Sequence, residues 1–473
     1  MIPARVSLGL VALLLVLRAV MAALLPLSAD EAYYWLWSKH LAAGYYDHPP
    51  MIAWLIRAGT SLFGDTPLGV RLMGVVLSLP ASWFVWKAGK SILDDDNRAA
   101  LALLFFNLTL MISVELLAAT PDMPSVVTSA AFLYCLAQVQ ATQNGKWWLA
   151  VGIAAGLGLL SKFSALFLGG GTLLWLLVDV RQRPWLRSPW PYLGAALALL
   201  IFSPNLVWQS QHHWQTFLFQ FGRVGAAQFT LRYLGEFLAA QMGMATPFIF
   251  VLMVLGLVRG TRRDSILLLP AVLAWTGLGY FLQHSLHDRV QGNWPCFLFP
   301  PLCVLAAATF STEGWKRWVS VLAAPLAALL LLTVYTQALF QPLHLKKDPL
   351  ARILGRHFAP VGEVVAVMVQ AHLADAILTS DYETTAWLRW SHPGLKVVQV
   401  NETQRYADAP AAPPALLSGR LIYLAELRRD QHPLVQKDFA YLGFPTQLQT
   451  PTSRYMLYPV GRPKTAAPLG RMP

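Results

Sequence analysis

The sequence predicts a multi-pass α-helical membrane protein that ends in a small α/β domain. Of its 473 residues, 56% are hydrophobic and only 13% are charged, whereas soluble domains average about 45–50% and about 25%. This composition excludes a water-soluble globular enzyme, a disordered chain and a collagen-like chain. Cys135, Cys296 and Cys303 all lie inside apolar stretches, which indicates core residues rather than a disulfide framework.

Apolar segments long enough to cross a bilayer recur along the first 340 residues. Because a spanning helix needs about 20 apolar residues, we count about eleven candidate transmembrane segments. They lie at 6–27, 68–88, 99–118, 124–141, 148–160, 164–180, 192–208, 234–258, 265–283, 296–312 and 318–340.

The distribution of Lys and Arg between successive loops predicts the orientation. With a cytoplasmic N-terminus, the inner loops hold most of the cations: Arg5, Lys87, Lys90, Arg98, Lys146, Arg181, Arg183, Arg187, Arg259, Arg262, Arg263, Lys316 and Arg317. The alternate loops hold Lys39, Arg57, Lys162, Arg223, Arg232 and Arg289. The positive-inside rule therefore predicts an N-in, C-out topology. The net charge of +12 then reflects membrane topology, and no nucleic-acid partner is expected.

The chain changes character after residue 340. Short β-prone runs at 364–369, 395–400 and 421–424 alternate with a helical stretch around 381–390, and 409–414 has the composition of a loop. We therefore predict a transmembrane catalytic domain over 1–340, with an outer-face loop at 28–67, and a periplasmic α/β domain over 341–473.

The first outer loop carries acidic residues at a helix start. Residues 28–31 (SADE) form a predicted capping box that opens an aromatic-rich helix over 32–43, and a second amphipathic helix is predicted over 51–63. Asp30 and Glu31 have two interpretations at this stage. They compensate the helix dipole, or one of them is a carboxylate that accepts a proton from an acceptor hydroxyl.

Other polar groups at predicted span ends also leave two interpretations open. Asp122 follows Thr120 and Pro121, which is either a helix start or part of a site. Lys162 either extends its ammonium to the interface or meets a lipid phosphate. Arg289 and Asn293 are either ordinary interfacial residues or, for the guanidinium, a phosphate ligand.

Several blocks together resemble a known family. Residues 30–38 (DEAYYWLWS) and 46–50 (YDHPP) resemble the bacterial glycosyltransferase family 39 and 83 proteins, relatives of lipid A aminoarabinose transferase and protein O-mannosyltransferases with the membrane GT-C fold. Further family-like blocks follow in order at 120–122 (TPD), 160–163 (LSKF), 203–208 (SPNLVW), 293–295 (NWP) and, weakly, 379–382 (TSDY).

The resemblance implies an inverting glycosyltransferase of the inner membrane. Its members move a sugar from a polyprenyl-phosphate donor to an envelope acceptor, which could be a glycolipid, the lipopolysaccharide core, a polysaccharide or a protein. The implied catalytic residues are Asp30, Glu31 and Asp122, and the implied substrate-binding residues are Tyr33, Asp47, His48, Lys162, Arg289 and Asn293.

Two departures from the family pattern remove permanent positive charge. His48 stands where the aminoarabinose transferases have a lysine, and Tyr33 stands where they have an arginine. Both departures argue against aminoarabinose as the sugar and lipid A phosphate as the acceptor. Because the leaving group is a phosphate monoester, no obligatory cofactor or metal is expected. A weakly bound divalent ion at Asp30, Glu31 or His48 stays open as an alternative.

A polytopic transporter or lipid flippase is the alternative. Such a protein needs ionisable groups near the membrane midplane and broken helices. The predicted spans hold few charged residues away from their ends, with Arg18 and Glu115 as the exceptions, and the polar residues gather on the deduced outer side. This asymmetry favours the transferase.

Overall fold

The structure is a computed structural model that describes residues 2–222, 229–262, 265–450, 453–465 and 469–473. Its helices are α1 Ala4–Leu24, α2 Ala29–Lys39, α3 Met51–Phe63, α4 Pro67–Leu93, α5 Asp96–Leu108, α6 Leu110–Glu115, α7 Asp122–Thr142, α8 Trp147–Ser161, α9 Ala165–Val178, α10 Pro189–Gln211, α11 Gln215–Phe221, α12 Arg232–Ala245, α13 Pro247–Gly260, α14 Leu268–His284, α15 Phe299–Ala308, α16 Lys316–Phe340, α17 Pro349–Ile353, α18 Ala359–Gln370, α19 Tyr382–Ser391, α20 Pro414–Leu417 and α21 His432–Asp438. The strands are β1 Ala376–Thr379, β2 Val397–Gln399, β3 Leu421–Glu426, β4 Phe439–Leu442, β5 Thr446–Gln449 and β6 Arg454–Pro463. Arg223 and Arg263, which entered the topology prediction, lie outside the described residues.

The chain divides into two compact units. The first unit comprises residues 1–23 and 48–335, and the second comprises 24–47 and 336–473. The second unit thus takes α2 together with the C-terminal part of the chain, a grouping that the expected boundary at residue 340 does not include. Aromatic residues join α2 to the C-terminal part of the chain. Trp35 on α2 packs edge-on against Trp390 on α19, with ring centroids 5.1 Å apart. The membrane and periplasmic assignments of 1–340 and 341–473 stay predictions.

The helical membrane character predicted from composition is confirmed. Among the described residues, four helices are long and apolar enough to cross a bilayer, namely α1, α4, α10 and α16. The bent pair α12 and α13 would make a fifth. Other apolar helices, such as α8 and α9, have fewer than 18 residues. The count of eleven spans therefore stays a prediction.

One predicted span is wrong as a single helix. The segment at 234–258 divides into α12 and α13, whose axes differ by 108°. Thr246 between them has φ 68°, a positive value that a right-handed helix cannot contain, so the helix ends there. Pro247 follows, and its missing amide hydrogen cannot continue the ladder of α12. The span predicted at 99–118 likewise breaks at Thr109, between α5 and α6.

Glycines allow two helices of the first unit to pack at close range. A Cβ added to Gly152 on α8 would lie 2.2 Å from the carbonyl oxygen of Gly194 on α10. A Cβ on Gly194 would lie 2.4 Å from the carbonyl oxygen of Trp148. Both distances are far below van der Waals contact, so the backbones approach as closely as they do because neither residue has a side chain.

A mixed sheet forms the centre of the second unit. Its order is β2-β1-β3-β6-β4, and β5 also pairs with β6. The pairs of β1 with β2 and β3 are parallel, with Leu378 opposite both Val398 and Tyr423. These three residues are buried in the core of the unit. The α/β character, the strands near 395–400 and 421–424 and the helix near 381–390 are confirmed.

The β-prone run at 364–369 is helical, so that strand prediction is wrong. It belongs to α18, which has Pro360 in its first turn, a favourable position for proline. Val361, Val365 and Ala366 are buried, and their spacing places them on one face of a helix. The tertiary contacts of this face outweigh the β propensity of the valines.

We expect Gly152→Ala to destabilise the protein, because its methyl group forces α8 and α10 apart. Overpacking of this kind costs about 1–3 kcal/mol. The midpoint of thermal unfolding in detergent should fall. Gly169→Ala on α9 is the control, since a Cβ there meets no atom within 4 Å. Equal midpoints for the two variants would contradict the close packing of α8 and α10.

Candidate active site

The capping box at the start of α2 is confirmed in full. The Ser28 hydroxyl accepts a hydrogen bond from the Glu31 amide at 3.2 Å, and the Ser28 amide donates to Glu31 Oε2 at 2.9 Å. Ser28 Oγ also donates to the same oxygen at 3.1 Å. Glu31 is buried, so its carboxylate closes the helix N-terminus from inside the protein. The helix begins at Ala29 and ends at Lys39, rather than spanning 32–43.

Asp30, the next residue to Glu31, contacts the C-terminal part of the chain. The hydroxyl of Tyr382 donates to Asp30 Oδ1 at 3.0 Å. Tyr382 is the first residue of α19, and the side chain of Asp381 caps that helix by accepting from the Thr384 amide at 2.9 Å. Local capping thus sets the position of the tyrosine that contacts Asp30.

The surroundings of Asp30 raise the pKa of its carboxyl group to about 6. Desolvation by nearby protein atoms is the largest cause, although the residue keeps an exposed surface. The hydrogen bond from Tyr382 opposes this shift because it stabilises the ionised form. Negative charge on Glu383, Asp47 and Glu31 adds to the increase.

Asp47 is held by two partners within the same unit. The Tyr33 hydroxyl donates to Asp47 Oδ2 at 2.6 Å, and Arg405 Nη1 donates to Asp47 Oδ1. The guanidinium of Arg405 also lies over the rings of Tyr46 and Tyr382, at 5.4 and 5.0 Å from their centroids. Because burial raises the pKa of Tyr33 well above its ordinary value, its hydroxyl remains a hydrogen-bond donor.

Tyr382 and Arg405 are the candidate site residues that the sequence prediction missed. Each meets its partner across more than 350 positions of the chain, so no local spacing could reveal Arg405. Tyr382 had a weak signal, because it ends the family-like block at 379–382.

A second cluster lies inside the first unit, around Asp122. The Lys162 ammonium donates to Asp122 Oδ1 at 2.6 Å, and the Asn293 amide donates to Asp122 Oδ2 at 3.0 Å. The Cys296 thiol lies 3.0 Å from Oδ1. The side chains of Lys162 and Asp122 are only 15% and 5% exposed. Three residues predicted separately for the site are therefore in direct contact, and Cys296 joins them as a core residue.

Arg289 and His48 are not part of the Asp122 cluster. The Arg289 guanidinium forms an exposed ion pair with Glu236 Oε2 at 2.8 Å and lies over the ring of Tyr233. His48 belongs to the first unit and is half-buried. Their substrate-binding roles stay predictions. Within the described ranges, no group of three or more His, Cys, Asp or Glu side chains could hold a metal ion.

Comparison with known proteins supports the family expectation. Residues 47–208 match the family model of dolichyl-phosphate-mannose-protein mannosyltransferases. The chain is 28% identical to the lipid A galacturonosyltransferase RgtD of Rhizobium johnstonii over 426 residues, which are 84% of this chain and 85% of that protein. It is also 29% identical to an undecaprenyl phosphate-α-4-amino-4-deoxy-L-arabinose arabinosyl transferase of Sodalis glossinidius, over 37% of this chain and 31% of that one.

The structural comparison covers nearly the whole chain. The crystal structure of ArnT from Cupriavidus metallidurans bound to undecaprenyl phosphate superposes with a TM-score of 0.65, covering 95% of this chain and 97% of ArnT at 17% identity. The matched family model, the relatives and this structure all fit a glycosyltransferase of the GT-C family. The chain thus has a helical fold of the ArnT type.

We expect Lys162→Met to destabilise the transferase, because it leaves the Asp122 carboxylate buried without its cation. Breaking a buried ion pair from one side costs about 3–5 kcal/mol. Thermal unfolding in detergent measures the loss, and the double variant Lys162→Met/Asp122→Asn should recover most of it.

Arg289→Gln is the matched control for these two variants, since the ion pair of Arg289 with Glu236 lies on the surface. It should leave the unfolding midpoint almost unchanged. A midpoint for Lys162→Met no lower than that of Arg289→Gln would contradict the buried ion pair.

Proposed function

We propose that this transferase moves a sugar, with inversion, from a polyprenyl-phosphate donor to a glycolipid of the cell envelope, and that Asp30 is the general base. One observation carries the choice of Asp30. Glu31 is engaged by Ser28, Asp47 by Tyr33 and Arg405, and Asp122 by Lys162, Asn293 and Cys296. Among the residues that the structure describes, Asp30 accepts a single hydrogen bond, from Tyr382.

A carboxylate with few donors keeps its basicity. The raised pKa of Asp30, about 6, leaves it ionised at neutral pH but makes it a better proton acceptor than an ordinary aspartate. In the transfer, the acceptor hydroxyl gives its proton to Asp30 as its oxygen attacks the anomeric carbon. The bond from that carbon to the phosphate oxygen breaks, and polyprenyl phosphate leaves with the bonding electron pair.

Lys162 is the proposed cation for the departing phosphate. Its ammonium has three donors, and Asp122 uses one of them at 2.6 Å, so the others can serve a phosphate oxygen. Asp122 already accepts from Lys162, Asn293 and Cys296, so we assign it a positioning role instead of proton transfer. The KM for the donor should therefore rise in Lys162→Met.

The sugar and the acceptor are proposed from the relative that matches most of the chain. RgtD is described as acting on lipid A with a galacturonosyl group, whereas the arabinosyl transferase of Sodalis matches 37% of this chain. Together with Tyr33 and His48, this favours a hexosyl donor and a lipid A or core glycolipid acceptor. Mass spectrometry of envelope glycolipids with and without the gene would identify the group, and loss of an aminopentose would overturn this choice.

The full topology also belongs to the proposal. We infer eleven spans with an N-in, C-out orientation, an extracytoplasmic catalytic face and a periplasmic C-terminal domain. The support is the loop asymmetry of Lys and Arg. A polyprenyl chain cannot leave the bilayer, since each buried methylene contributes about 0.8 kcal/mol. The reacting phosphate must therefore lie where lipid and water meet.

Asp30→Asn should abolish sugar transfer and leave donor binding largely intact, because the amide cannot accept the acceptor proton. Transfer from a polyprenyl-phosphate donor in membranes, together with donor binding to the purified protein, checks this. Asp288→Asn in an exposed loop is the control. Unchanged transfer in Asp30→Asn would remove this residue from the mechanism.

Tyr382→Phe should move the acidic limb of the pH–rate profile to higher pH. The Tyr382 hydrogen bond stabilises ionised Asp30, so its loss raises the pKa of that carboxyl above about 6. The rate should fall more at mildly acidic pH than at pH values well above the pKa. Tyr441→Phe, on an exposed residue of the same unit, is the control. A uniform loss of rate across pH would mean that Tyr382 acts only through folding.

Cysteine labelling tests the topology. A cysteine at exposed Ser61, in the predicted outer loop, should react with a membrane-impermeant maleimide in intact spheroplasts. A cysteine at exposed Asn97 should react only after permeabilisation. Labelling of both positions from one side would exclude the proposed crossing pattern between them.

A further inference from the structure

A cavity of about 500 Å³ lies in the first unit, among loops that the positive-inside rule places on the cytoplasmic side. Residues 93–98, at the end of α4 and the start of α5, form one wall. The other wall is formed by Arg259, Arg262 and residues 265–267, and Ala308 also lines the cavity. Its volume is within the range of about 300–1,000 Å³ that small-molecule sites have.

Three guanidinium groups from separate parts of the chain line this cavity, those of Arg98, Arg259 and Arg262. We propose that this arginine cavity binds a phosphate-bearing anion, with an anionic lipid headgroup of the cytoplasmic leaflet as its main source. Nothing in the glycosyl-transfer mechanism uses these residues, so the site is separate from the proposed function.

Arg98 is fixed in place by the protein. Its Nη1 donates to the carbonyl oxygen of Ala308 at 2.5 Å, and its Nε lies 3.6 Å from Asp95 Oδ2. Asp95 is itself occupied, because its other oxygen caps α5 by accepting from the amides of Asn97 and Arg98 at 2.8 and 3.0 Å. The guanidinium of Arg98 therefore has a fixed orientation before a ligand binds.

Arg259 and Arg262 are the cations that remain for a ligand. Both are exposed, and neither side chain has a hydrogen-bond or ion-pair partner in the part of the chain that the structure describes. Asp94 also lines the cavity; it ends α4 through its backbone amide, so its carboxylate is the negative charge that remains among the described lining residues. Among the described lining residues, the charged side chains without a partner inside the protein therefore have a net positive charge.

The groups that line the cavity suit a phosphate ligand. A guanidinium presents paired donors in a plane that matches two phosphate oxygens. The hydroxyl of Ser265 lies in the same lining, and α14 begins at Leu268 without a side-chain cap, so its dipole adds positive potential. Basic pockets between helices on the cytoplasmic side of membrane proteins bind anionic lipid headgroups in this manner.

Native mass spectrometry of the full chain in detergent tests the proposal, with phosphatidylglycerol as the probe and phosphatidylcholine as the neutral lipid. The variant Arg259→Gln/Arg262→Gln should bind phosphatidylglycerol about tenfold more weakly than the wild type. The control Arg187→Gln/Lys316→Gln removes two cations from predicted cytoplasmic loops outside the cavity and should bind as the wild type does. Sugar transfer by all three proteins reports that the fold is intact.

A second arm distinguishes the two sources of phosphate. Millimolar inorganic phosphate that fails to displace phosphatidylglycerol supports a lipid headgroup, whereas displacement in the wild type supports a site that also accepts the free anion. Equal affinity of wild type and cavity variant for phosphatidylglycerol would overturn the proposal. Equal weakening in the cavity variant and the control would overturn it too, since the effect would then be one of overall charge.

Discussion

A charged side chain that is withdrawn from water must find a partner, and this constraint organises both units of the transferase. In the first unit, Lys162 and Asp122 are nearly inaccessible and contact each other at 2.6 Å. In the second unit, the carboxylate of Asp47 lies between the hydroxyl of Tyr33 and the guanidinium of Arg405. Each pairing links segments far apart in the chain, so the electrostatics and the tertiary fold are established together.

The same constraint gives the acidic residues of these clusters different surroundings. Glu31 is buried and closes the N-terminus of α2, and Asp122 has its oxygens occupied by three donors. Asp30 sits beside Glu31, yet it keeps an exposed surface and a raised pKa. These neighbouring acids therefore have different surroundings, because Glu31 accepts from Ser28 in the cap, whereas Asp30 accepts from the Tyr382 hydroxyl.

Buried charged side chains within the helices also contact other residues of the same unit. Arg18 on α1 lies 3.4 Å from the side-chain oxygen of Asn107, and Glu115 accepts from the Thr120 hydroxyl at 3.3 Å. Both contacts lie within the helical unit. The break between α12 and α13 has a local cause in Thr246 and Pro247, so it does not by itself favour a transporter.

The sequence alone determined the features whose cause lies within a few residues or in a long periodic pattern. The capping box at Ser28 and Glu31, the helix Met51–Phe63, the strand near Leu421 and the membrane character all follow from neighbouring hydrogen bonds and apolar spacing. The family blocks added Asp30, Asp122 and Lys162. Only the tertiary structure decided which of these residues meet, and it added Tyr382 and Arg405, whose partners are more than 350 residues away. The valine-rich run of α18 is also a helix because of the tertiary contacts of its buried face. Local propensities determine short-range geometry, whereas the long-range contacts of these side chains depend on the tertiary fold, in which charged groups become buried.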